Sequence, residues 1–217
     1  MRLPPYPDPD VEELTLIDEN LTKEFLQNLS NLTKLTSLAL LDCDGIDSET
    51  VEALAHLKQL KSLTLQRPNL DITDWTFLRS LDHLESLHLH QVFFDDSSAS
   101  ILPNLKELRH LSLFGTRITN RGFPAILRLK NLKTLKLYSG DFSTKNLLNL
   151  DQLIHLTELQ IIRSYSVTDE VMLRLSKLQQ LRKLELNFCN ITSLQCLKDF
   201  LKLDTFECSY ALKIIPE

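Results

Sequence analysis

The chain has 217 residues, 43% of them apolar; 49 are leucine, against four glycines and 7% aromatics, which suffices for a core and excludes a disordered, collagen-like or low-complexity chain. No run of about 18 apolar residues exists to span a membrane, so no membrane role is expected. Net charge is −5, divided as 8 basic against 19 acidic residues over 1–108 (−11) and 16 against 10 over 109–217 (+6), an uneven field that can orient a partner.

Residues 1–10 hold Pro4, Pro5, Pro7 and Pro9 and no apolar signal region. We read them as a proline-rich N-terminal cap segment, because proline cannot donate to a further strand ahead of Val11. From Val11 onward an apolar-x-x-apolar-x-apolar pattern recurs, and residues 11–217 read as one domain. Its fourth position falls at Leu14, Leu38, Leu63, Leu87, Leu111, Leu135, Leu159, Leu184 and Phe206, in steps of 24, 25, 24, 24, 24, 24, 25 and 22 residues. Alternation within each copy predicts a strand with its leucines on one face. The stretch after each strand carries helical spacing, as in Val51, Leu54 and Leu57 behind Asp47-Ser48-Glu49, or Val171, Leu175 and Leu178 behind Thr168-Asp169-Glu170. Ser or Thr with acidic residues suits a helix N-terminus. Gly122 and Pro124 predict a later or shorter helix in the fifth copy. The last copy, from about residue 203, is short: either it is itself the cap, or a partner or further domain covers that end.

With nine copies at this spacing the chain resembles a leucine-rich-repeat protein, from Val11 to Ile215. The family's Asn/Cys position reads Glu19, Cys43, Pro68, Val92, Thr116, Gly140, Ser164, Cys189 and Ala211 here, so only Cys43 and Cys189 match it. The resemblance implies an α/β leucine-rich-repeat solenoid (horseshoe) of nine repeats of 22–25 residues. Its parallel sheet lines the concave face and its helices the convex face. Steps of 24–25 with helical convex segments resemble the intracellular ribonuclease-inhibitor-like and F-box-associated subclass, whose members act as adaptors, inhibitors or scaffolds.

Catalytic patterns are missing: there is no GxSxG, HExxH, CxxC or glycine-rich phosphate loop. The chain reads as a non-enzyme without cofactor or metal. Cys43, Cys189, Cys196 and Cys208 lack disulfide or zinc spacing and fit a reducing, cytoplasmic compartment. The sequons at Asn20, Asn28, Asn31 and Asn190 are then chance matches. His88, His90 and His110 face the concave side on adjoining strands; a shared metal is one reading and solvated or partner-contacting imidazoles the favoured one.

The concave wall is where a partner is expected. Phe114, Tyr138 and Ile162 fall on consecutive strands, with Arg163, Phe188 and Tyr210 one position further along, and aromatic anchors beside an arginine make a binding hot spot. A competing basic ridge is formed by Arg109, Arg117, Arg121, Lys133 and Lys136, too sparse for nucleic acid at a pI near 5.7. The sequence therefore predicts a module that binds another protein on its concave face, as a monomer or a weakly self-associating chain. A self-assembling repeat protein docking through its C-terminal end, a ubiquitin-ligase substrate adaptor, and an effector delivered to a host cytosol remain alternatives.

Overall fold

A strand with leucine at every second position buries one face only if something apolar covers that face and neighbours satisfy its backbone. In the computed structural model, which describes residues 7–67, 72, 74–138 and 142–209, each repeat supplies both to the next. Nine five-residue strands form one parallel sheet in chain order. They are β1 (Glu13–Ile17), β2 (Ser37–Leu41), β3 (Ser62–Gln66), β4 (Ser86–His90), β5 (His110–Phe114), β6 (Thr134–Tyr138), β7 (Glu158–Ile162), β8 (Lys183–Asn187) and β9 (Thr205–Ser209). Leucine meets leucine across the ladder: Leu38 lies beside Leu63, Leu63 beside Leu87 and Leu87 beside Leu111. Eight inter-strand gaps of about 4.8 Å give a wall of roughly 40 Å. The chain thus has the predicted leucine-rich-repeat solenoid architecture.

The convex side is thinner than helical periodicity implies. Its α-helices are short: α1 (Lys23–Asn28), α2 (Ser48–Val51), α3 (Asp96–Ala99), α4 (Phe123–Leu127), α5 (Thr144–Leu147) and α6 (Asp169–Leu175). Most lead into or alternate with single 3₁₀ turns such as Glu52–His56 and Leu148–Gln152, and the third repeat has only the turn Thr76–Ser80 among its described residues. Eight residues or so per convex segment allow two turns at most, and the 3₁₀ form, rising about 2.0 Å per residue, covers the way back to the next strand in fewer residues than an α-helix. Gly122 and Pro124 delay their helix without shortening it: α4 begins nine residues after β5, against six or seven for the other α-helices, with Gly122 at its N-cap and proline in its first turn. Between the two layers the leucines are sealed, with Leu63, Leu87, Leu111, Leu135 and Leu159 all fully buried.

Two devices join consecutive repeats. At the C-terminal end of the strands one residue per repeat turns into the left-handed region: Asp18, Asp42, Arg67, Gln91, Gly115, Arg163 and Phe188 have φ between 39° and 62°. Their N–H groups extend the ladder by one bond while the chain turns, as in Asp18 N to Leu41 O (3.0 Å), Arg67 N to His90 O (2.9 Å) and Phe188 N to Ser209 O (3.0 Å). Of the residues that follow, Cys43, Val92, Ser164 and Cys189 are buried, and Glu19 and Thr116 half-buried. The corresponding Pro68, Gly140 and Ala211 lie outside the described residues, as do residues 1–6 and Tyr210.

On the convex side, a side chain of one repeat caps the next. Asp96 accepts from Thr119 N (2.7 Å) and Gly122 N (2.9 Å), Asn120 from Ser143 N (2.7 Å), and Asp169 from Thr192 N (2.9 Å) and Ser193 N (3.1 Å). Thr168, expected to cap α6 itself, occupies the N-cap without a side-chain cap bond. Asp169 there serves the following repeat instead.

Candidate functional site

Odd positions of every strand leave the core and form the concave wall. From β4 to β7 the last of them reads His90, Phe114, Tyr138 and Ile162, and parallel register sets these side by side. The spacing of about 4.8 Å between strands is the distance at which rings meet. His88 and His90 are 6.2 Å apart between ring centroids, His90 and Phe114 6.0 Å, Phe114 and Tyr138 5.1 Å, each pair edge to face at 78–87°. The result is a continuous four-ring stripe across three strands, half-buried throughout. Ile162 continues it on β7.

Two polar side chains bond to rings of the stripe. His90 Nε2 and Ser112 Oγ are hydrogen-bonded at 3.0 Å, and the Tyr138 hydroxyl donates to Gln160 Oε1. Ser112 and Gln160 are themselves buried, although both point away from the leucine core. Sequence reading missed these two, since polar residues at outward positions read as solvated. The available signal was their place beside large rings, at the middle outward position of their own strands.

His110 stands apart, at the start of β5 opposite Ser86, with its Nδ1 3.1 Å from Thr134 Oγ1. No group of three His, Cys, Asp or Glu side chains that could hold a metal ion occurs among the described residues. Burial, with His90, His110 and Lys136 alongside, pushes His88 down to about 4. Burial also lowers His90 and His110 and raises the Tyr138 hydroxyl. At neutral pH the stripe therefore presents His88 as a neutral ring. It can stack and exchange hydrogen bonds.

Arg163 and Phe188 sit at left-handed turn positions on the rim, with the guanidinium 6.0 Å from the ring centroid. The basic residues fall on three different parts of the molecule. Arg109 and Lys133 precede their strands and line a shallow groove with Lys106, Asn131 and His155. Lys136 lies on the concave wall and pairs with Glu158 (3.1 Å), which also faces Lys183 (3.8 Å). Arg117 and Arg121 follow their strand at the opposite rim, where Arg117 lies 4.3 Å over the ring of Phe93. Arg109 is 3.5 Å from Glu85. No helix among the described residues is long and apolar enough to cross a membrane.

No family model matches the chain, and no curated protein does either. Solved structures do. The internalin C2 of Listeria monocytogenes is similar over 91% of this chain and 80% of its own, at 22% identity and a TM-score of 0.69. The plant peptide hormone receptor RGFR1, in complex with RGF2, is similar over 91% of this chain and 32% of its own, at 21% identity and a TM-score of 0.59. The TLR13 protein in its complex with ssRNA13 is similar over 96% and 34%, at 18% identity and a TM-score of 0.66. This chain spans about a third of the latter two. Nine parallel strands in unbroken order and these similarities identify the fold as that of leucine-rich-repeat proteins.

Proposed function

We propose that this chain is a non-enzymatic binding module that holds another protein on its concave face. The observation that carries the reading is the stripe of His88, His90, Phe114 and Tyr138. Large rings that fill no core position, packed edge to face with His90 bonded to Ser112 and Tyr138 to Gln160, present area at little cost in side-chain entropy on binding. Contiguous surface of this kind is the usual centre of a protein interface. Similarity to a plant peptide hormone receptor solved in complex with RGF2 supports the same use of the same fold. Adaptor, inhibitor and scaffold are roles this reading accommodates.

The test is affinity capture from lysate followed by titration of the captured partner, comparing the wild type with Phe114→Ala/Tyr138→Ala. Neither ring belongs to the leucine core, so circular dichroism is expected to be unchanged. Binding is expected to weaken at least about tenfold, the loss of one well-packed anchor. Equal binding by both proteins would move the site away from the stripe.

A further inference from the structure

Stacking brings together two thiols that the chain keeps apart. Cys189 occupies the inward position just past β8 and is 1% exposed. Cys208 stands on β9 opposite Leu186, where the preceding repeats have leucine or isoleucine. Their Sγ atoms are 3.5 Å apart, and both cysteines are free thiols. The two differ in access. Leu137 and Leu186, at the same repeat position as Cys208, are sealed by a strand on each side. No tenth strand covers β9 among the described residues, and Cys208 is only half-buried. Cys43 has no such neighbour: its Sγ lies 3.4 Å from the carbonyl oxygens of Leu16 and Leu41.

We propose that Cys189 and Cys208 form a redox modification site, closed to a disulfide by a small-molecule disulfide such as oxidised glutathione, which staples β9 to the eighth repeat. The Cys208 thiolate attacks oxidised glutathione, forming a mixed disulfide and releasing one glutathione. The Cys189 sulfur then attacks the Cys208 sulfur, the bond to glutathione breaks, and the departing thiolate takes up the Cys189 proton. Two protein thiols are oxidised and one glutathione disulfide is reduced to two thiols. Burial, then its contact with Cys208, pushes Cys189 up to about 12, so it waits as a thiol for its activated neighbour. Closure draws the sulfurs together by roughly 1.5 Å, to a bond of about 2.05 Å. Among the described residues β9 has a single neighbouring strand, so closure displaces one edge strand and not the interior of the sheet.

The experiment uses the full chain in graded glutathione redox buffers. Cys189 and Cys196 fall in one tryptic peptide, so a Cys196→Ser background assigns the bridge without ambiguity. Oxidation is expected to remove two hydrogens from the intact mass, to link the Cys189 and Cys208 peptides, and to slow amide exchange in β9 at least about tenfold, reversibly with dithiothreitol. Cys208→Leu restores the residue type of the other repeats; it should fold normally and show none of these changes. Cys208→Ser serves as a second variant should Leu disturb packing. A stable glutathione adduct on Cys208 with Cys189 still alkylatable would overturn the proposal. So would a bridge between molecules, or unchanged exchange in β9 after closure.

Discussion

Gly45 shows how little latitude a turn residue has in this stack. Its φ is 75°, and a Cβ there would collide with the Leu21 carbonyl oxygen of the preceding repeat. Gly45→Ala is expected to destabilise by roughly 2–4 kcal/mol, from the left-handed backbone and the forced displacement together, measurable by urea denaturation. Titration gives a second expectation. Folding depresses the His88 pKa from 6.5 to about 4, so the unfolded chain takes up the proton first. The stabilising contribution is whole above about pH 6.5 and is lost as pH falls toward 4. The melting temperature of the wild type should thus drop between pH 7.5 and 4.5, and that of His88→Gln should drop less. An equal fall in both would assign the acid sensitivity to other groups.

Among elements, the side chains that reach from one repeat to the next carry more than their exposure implies. Asp169→Ala leaves Thr192 N and Ser193 N without their acceptor and should cost about 1–2 kcal/mol; Asp169→Asn, which keeps an oxygen, should cost less in the same denaturation. The strands were fully legible in the sequence, because Leu-x-Leu has a single geometric solution and the step repeats. The convex segments were legible in place and not in kind: Val51, Leu54 and Leu57 fit an α-helix, yet α2 ends at Val51 and a 3₁₀ turn follows. Spacing cannot separate the two forms over so few residues, since the choice is made by the path to the next strand. The left-handed residues were hidden because Arg67, Gln91, Arg163 and Phe188 lack the glycine that advertises such a turn. Of the candidate site, Phe114 and Tyr138 were legible as outward aromatics. Their link to His90, and the support from Ser112 and Gln160, depend on lateral register that alternation within one strand does not encode.

For the whole molecule, each repeat touches its neighbours and little else, so stability is expected to vary along the solenoid. Amides of β4, β5 and β6, flanked on both sides, should exchange more slowly than those of reduced β9, which has one partner strand among the described residues. Hydrogen exchange read by mass spectrometry checks this, and uniform protection would mean the nine repeats open as one unit. The strand offsets carry a broader consequence. Ser37 pairs with Ser62 at a spacing of 25, Ser62 with Ser86 at 24 and Lys183 with Thr205 at 22, yet the leucine face never slips. Every change in length is taken up between strands, so the inner wall behaves as a fixed keyboard whose wiring behind can be lengthened or cut. A residue added to a convex segment leaves each concave key in place, whereas one added within a strand turns its remaining keys to face the core.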